Sequence, residues 1–103
     1  MKTLLLTSLS VAMLSLSAAA SADQALAQKN ACMTCHSVDK KVVGPAYKDV
    51  AKKYAGDKTA EAKLIAKVKA GGKGVWGEVP MPPNPQVSDA DAKKIVEWVL
   101  SLK

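Results

Sequence analysis

Cys32-Met33-Thr34-Cys35-His36 gathers both cysteines and the single histidine of a 103-residue chain into five consecutive positions. Two thiols three residues apart face the same side of a helical turn, and an imidazole follows the second directly. Three chemistries use such a cluster. A C-x-x-C pair can cycle between dithiol and disulfide, Cys and His ligands can hold zinc, and C-x-x-C-H is the pattern by which haem is attached covalently. The surrounding sequence discriminates among them.

Upstream, residues 1–22 carry one Lys, no acid, a Leu-rich run from Leu4 to Leu16 and an Ala20-Ser21-Ala22 ending. That is the layout of a secretory signal peptide. Cleavage is expected after Ala22, leaving 23–103 as a single domain in the periplasm. A spanning helix needs about 20 apolar residues; the run here is shorter and broken by Ser and Thr, so no stable membrane insertion is expected. The exported part has 14 Lys, no Arg and 9 acidic residues, a net charge of +5. These Lys are dispersed among acids without aromatic interleaving, which excludes nucleic acid as a partner.

Downstream, the pattern is helical throughout. Asp23 can cap a first helix that carries Leu26 and the Ala-rich run to Ala31 onward into Cys32, Cys35 and His36. Gly44-Pro45 starts a second helix with Pro in its first turn; Tyr47, Val50, Ala51 and Tyr54 repeat at helical spacing, and Gly56 stops it. Asp57 or Thr59 caps a third, with Leu64, Ile65 and Val68 as its apolar stripe and Lys63, Lys67 and Lys69 mostly outside. From Gly71 to Val87 there are four Gly and four Pro in 17 residues, which predicts one long ordered loop. Ser88 with Asp91 makes a capping box for the last helix, Val87 staples onto Ala92, and Ile95, Val96, Val99 and Leu102 extend its apolar face. No segment alternates with a period of two. The expected class is all-α, with about four helices.

The core available to such a domain is thin. Residues 23–103 hold 36 apolar side chains, but 12 are Ala, none is Phe, and the aromatics are only Tyr47, Tyr54, Trp76 and Trp98. Domains of this size need a staple or a bound group to be robust. The dithiol reading expects a βαβ context that is missing, and the zinc reading needs a fourth ligand for which no second cluster exists. Haem satisfies both motif and composition: two thiols on successive turns add to the vinyl groups of one porphyrin edge, and the adjacent imidazole of His36 becomes the proximal ligand. For the other axial position, bis-His ligation is excluded because His36 is the only histidine. Met1 and Met13 leave with the signal, and Met33 is trapped between the attachment points. Met81 remains, in the Pro-rich loop. A Met can be an ordinary gap filler, but Pro80, Pro82 and Pro83 stiffen the backbone around this one.

The ordered set of C-M-T-C-H at 32–36, V-G-P-A-Y-K-D-V at 43–50, G-V-W-G at 74–77, P-M-P-P-N at 80–84 and V-S-D-A-D at 87–91 resembles the short bacterial class I cytochromes c of the c-551/c-552 type. It spans essentially all of residues 23–103. The resemblance implies a compact class I cytochrome c fold around one haem c, held by thioethers from Cys32 and Cys35 and by the axial ligands His36 and Met81. It also implies that Pro45 offers its carbonyl to the Nδ1–H of His36, that the indole of Trp76 reaches a propionate, and that Asn84 sits near the axial sulfur. As plain structure, Trp76 would be a packed aromatic and Asn84 a turn residue. Lys67 stands where some relatives carry a cation for a propionate, or lies on a solvated face. Pro85-Gln86 adds a residue before the last helix relative to some of them.

With both axial positions filled by protein, iron offers no site to a substrate, so an electron carrier is expected and not an enzyme. Lys40, Lys41, Lys48, Lys52, Lys53, Lys73, Lys93 and Lys94 would steer a monomer to acidic patches on redox proteins or merely keep it soluble. The candidate partners are a quinol–cytochrome c reductase on one side and a nitrite reductase, a cytochrome c peroxidase or a terminal oxidase on the other.

Overall fold

The apolar repeat that ends the chain organises the rest of it. In the computed structural model, which describes residues 23–103, four α-helices occupy 23–29 (α1), Tyr47–Lys53 (α2), Ala60–Ala70 (α3) and Asp89–Ser101 (α4). The expected signal segment and the expected cleavage after Ala22, and with them Met1 and Met13, lie outside the described residues. Among the described residues the only β pairings are two isolated bridges, His36 with Lys41 and Gly72 with Met81. The domain is all-α, as its periodicity predicts.

Helix α4 buries Ala92, Ile95, Val96, Trp98 and Val99, and both α2 and α3 pack on it. Its start follows the capping rule: the Ser88 hydroxyl accepts the N–H of Asp91 at 3.1 Å, while Val87 and Ala92 are both fully enclosed. Against this face α2 places Tyr47, Val50 and Ala51, α3 places Ala60 and Val68, and α1 places Ala27. Val87 is the largest side chain that is fully buried. Burying a Val, Leu or Ile contributes roughly 1.5–3 kcal/mol, and beside the small Ala and Val the buried core has only Tyr47, Ile95 and Trp98 as larger members.

Three local expectations are corrected. Helix α1 does not run into the cysteines. It ends at residue 29, Ala31 adopts a left-handed conformation (φ 63°), and Cys32–Thr34 form a separate 3₁₀ turn. At the end of α1 the Leu26 carbonyl accepts from both the side chain and the backbone N–H of Asn30, at 3.0 and 3.2 Å. Pro45 does not open α2, which begins at Tyr47 after an extended Ala46. The backbone here is claimed by the cysteine segment: Gly44 N–H donates to Cys35 O at 2.7 Å and Tyr47 N–H to Ser37 O at 2.9 Å. Lys69 is half-buried, not outside. Its ammonium donates to the Val87 carbonyl at 2.6 Å and pairs with Asp89 at 3.1 Å, tying α3 to the start of α4.

Between Asp57 and Thr59, the alternative caps of α3, the work is shared. Thr59 occupies the cap position without a side-chain cap bond, and the Asp57 carboxylate accepts its N–H at 2.8 Å and its hydroxyl at 2.7 Å. The hydroxyl bond first, and the backbone N–H second, hold Asp57 below its ordinary carboxylate range. The stabilisation is therefore present above about pH 4, the unfolded value, and is lost as pH falls through the lower folded value. Denaturant titrations between about pH 2 and 5 should show a shallower acid loss of stability in Asp57→Asn than in the parent. Ser88→Ala should cost about 1 kcal/mol, lowering the melting temperature by roughly 4–8 °C, while Ser88→Asp should retain most of the stability.

Candidate functional site

The turn at Cys32–Thr34 and the loop after α3 face a common cavity of about 320 Å³. Cys32, Cys35 and His36 contribute to its wall from the first half of the chain, Trp76 and Met81 from the Pro-rich loop, and Val99 from the apolar face of α4. Six of the seven site residues expected from the sequence, Cys32, Cys35, His36, Pro45, Trp76 and Met81, are thus brought to one place from positions up to 49 apart.

The imidazole is the most constrained of them. His36 Nδ1 lies 2.8 Å from the carbonyl oxygen of Pro45. A backbone carbonyl only accepts, so Nδ1 carries the proton, and in the neutral ring Nε2 keeps the lone pair. Gly44 makes the approach of this loop possible, because a Cβ there would overlap Cε1 of His36 and lie 2.9 Å from both ring nitrogens. One constraint escaped the sequence reading. The Tyr47 ring stacks on the imidazole with centroids 4.8 Å apart and planes inclined by 17°. The helical repeat of α2 marks Tyr47 as apolar core, which is true of its burial, and gives no sign of its neighbour across the Ser37–Ala46 loop.

Cys32 and Cys35 are free thiols. Burial pushes the Cys32 thiol up, with hydrogen bonds from Tyr47 and from its own backbone partly opposing the shift. A thiol held in its neutral form is poorly suited to dithiol exchange, which works through the thiolate. Among the described residues no group of three or more His, Cys, Asp and Glu side chains is arranged to hold a metal ion, so the cluster does not have the form of a zinc site.

Met81 is placed by its backbone. Its N–H donates to Gly72 O at 2.8 Å and its carbonyl accepts from Gly72 N–H at 3.0 Å, immediately after α3 ends. Gly71 is required there: it sits at φ 72°, and a Cβ would overlap Met81 O. Asn84 lies outside the cavity lining and is occupied elsewhere. Its side-chain N–H groups donate to Val68 O and Pro82 O at 3.2 Å each, and its backbone N–H donates to Val68 O at 3.0 Å. In this structure Asn84 fastens the loop to the carbonyl end of α3. Trp76 lines the cavity but is 43 % exposed, with the Lys53 ammonium 5.6 Å from its ring centroid. Lys67 also lines the cavity and is half-buried, its ammonium folded against Gly72.

The donor set and the wall suit a large flat apolar group. Val43, Val75 and Val79, all in the lining, are half or more exposed, and a porphyrin seated there would cover apolar surface that the chain itself leaves open. Two thiols on successive turns, an imidazole with a free lone pair and a thioether share one cavity, which is the complement that haem c requires.

Comparison with known proteins agrees. The family model described as Cytochrome c matches residues 20–103. The chain is 60% identical over 81 residues to cytochrome c-551 of Allochromatium vinosum, covering 79% of this chain and 86% of that one. It is 52% identical over 103 residues to cytochrome c-552 of Nitrosomonas europaea, covering 100% of both. The crystal structure of wild-type Nitrosomonas europaea cytochrome c552 superposes with a TM-score of 0.76 at 56% identity, covering 78% of this chain and 99% of that one.

The close contact at residue 44 yields a measurable expectation. Gly44→Ala should displace the His36 ring from Pro45 O and, as an overpacked site, destabilise the protein by about 1–3 kcal/mol, read as a fall in the denaturant midpoint at unchanged slope.

Proposed function

The chain belongs to the cytochrome c family, a family of small monohaem electron carriers with covalently bound haem c, and on that premise we propose that it is a periplasmic shuttle for single electrons. Cys32 and Cys35 would hold haem through thioether bonds, with His36 and Met81 as axial ligands. The observation that carries this reading is the lock on one imidazole nitrogen by Pro45 O, which leaves the other as a donor in the cavity that Met81 also lines. When bound, the haem supplies a one-electron ferric/ferrous couple, and a thioether ligand together with burial favours the ferrous form.

The residues act by holding still. Pro45 O keeps His36 in one tautomer through both oxidation states. The pair of backbone hydrogen bonds to Gly72 keeps the Met81 backbone at a fixed place in the wall. Ligands that need not move when an electron arrives keep the rearrangement small. Two protein ligands also leave no position for a substrate, which is the reason to read a carrier here and not an enzyme.

The cationic surface supports acidic redox partners. Lys41 and Lys73 line the cavity and Lys53 stands over Trp76 at its rim. Lys73 pairs with Glu78 at 3.7 Å and Lys48 with Asp39 at 2.6 Å, so part of the positive charge is already screened. What remains would steer a monomer toward acidic patches on a quinol–cytochrome c reductase and on a nitrite reductase, a cytochrome c peroxidase or a terminal oxidase. Lys suits such brief contacts because ammonium makes no bidentate fork. Cleavage after Ala22 would release residues 23–103 to the periplasm.

A denaturing gel stained for haem and an intact mass test attachment and cleavage together. The expected species begins at Asp23 and carries one haem; colourless, well-folded material would overturn the reading. In Met81→Ala the haem should stay attached while the far-red sulfur-to-iron band disappears, the reduction potential falls and the reduced form gains the ability to bind CO. An unchanged spectrum and potential would remove Met81 as the ligand.

A further inference from the structure

We infer that Tyr47 is a positioning residue for His36, its ring fixing the plane in which the imidazole presents Nε2 to the cavity. The inference rests on the reading of His36 as axial ligand. A single hydrogen bond such as that to Pro45 O anchors one atom of the ring and leaves the ring free to tilt about the line of that bond. Tilting is opposed by Tyr47: at a centroid distance of 4.8 Å and an inclination of 17° the two rings are offset-stacked, and rotating one drives its edge into the face of the other.

The stacking ring is itself held. Tyr47 is 6 % exposed, and the Trp98 ring of α4 meets it edge-on, with centroids 5.6 Å apart and planes at 80°. Its backbone N–H donates at 2.9 Å to Ser37 O, the carbonyl of the residue that follows the ligand. The ring therefore belongs to two rigid parts at once, the first turn of α2 and the core face of α4. Through the sequence of contacts His36, Tyr47, Trp98, the orientation of the imidazole is referred to the best-packed helix of the domain and not to the loop that carries the histidine.

The orientation of an axial imidazole plane decides how the unpaired electron of low-spin ferric iron is distributed between its two π-type d orbitals. Electron paramagnetic resonance g values and the paramagnetic shifts of the haem methyl groups report it together with the orientation of the second axial ligand, and a loss of packing that left both ligands in place would not move them. The experiment compares ferric holoprotein of the parent with Tyr47→Phe, which keeps the ring, and with Tyr47→Leu and Tyr47→Met, which fill the space without a flat face. Tyr47→Phe should reproduce the parental g values and methyl shifts. Tyr47→Leu and Tyr47→Met should shift and broaden both. Trp98→Phe, which loosens the support without removing the stack, should produce a smaller change in the same direction.

Thermal stability is recorded on every variant. Lower stability with parental g values and methyl shifts in the variants that retain haem would overturn the inference and leave Tyr47 as core filling. If neither Tyr47→Leu nor Tyr47→Met yields holoprotein, a parental spectrum in Trp98→Phe has the same force. A parent that lacks a low-spin imidazole signature would instead refute the ligand reading, a result separable from every comparison among variants.

Discussion

The hydrogen bond between His36 Nδ1 and Pro45 O is the constraint on which the site depends. Because a carbonyl has no proton to give, this one contact assigns the tautomer of the neutral ring and leaves Nε2 as the nitrogen with a lone pair, on a residue that lines the cavity. It also explains features that look unrelated. Gly44 has to lack a side chain for Pro45 to come so close. The loop between Ser37 and Ala46 is tied at both ends in place of forming a helix: Val43 and Gly44 donate to Cys35 O, and Ser37 O and Val38 O accept from Tyr47 and Lys48 of α2. Helix α2 consequently begins two residues later than its proline suggests.

Across the chain, Met81 is secured by a different device. A loop with four Gly and four Pro has little secondary structure of its own, so its bonds go to the end of α3. Gly72 takes both backbone groups of Met81, Asn84 takes Val68 O twice, and Lys69 reaches Val87 O. The bonds to Val68 O satisfy one of the carbonyls that a helix terminus leaves without partners, and together these contacts turn the end of α3 into a mount for the loop. Imidazole and thioether are thus presented by segments whose backbone polar groups are tied to neighbouring segments, an arrangement that suits a centre meant to change charge without changing shape.

The thin core and the cavity are two sides of one fact. Among the described residues no large apolar side chain is fully enclosed, and the valines at the cavity rim stand half open. A group that supplies apolar volume and is bound covalently adds the stability that 81 residues rich in Ala do not supply by side-chain packing alone. The same covalent bonds make it part of the fold.

Much of this was legible before any coordinates. Local chemistry was enough for the all-α class, the cap at Ser88, the break at Gly71, and the grouping of Cys32, Cys35 and His36, since each depends on residues within a turn or two of one another; α2 ends at Lys53, short of the expected stop at Gly56. Elimination among a single His and few Met was enough to single out Met81, which the fold then brings to the cavity that His36 lines. What the sequence did not disclose are contacts between residues close in space but set by the path of the chain. The left-handed break at Ala31, the stack of Tyr47 on His36, the engagement of Asn84 with α3 and the inward turn of Lys69 all arise where one segment's unpaired backbone or ring finds a partner on another. Periodicity reports which face of a helix is buried; only tertiary packing decides what that face meets, because the partner lies on a different stretch of chain.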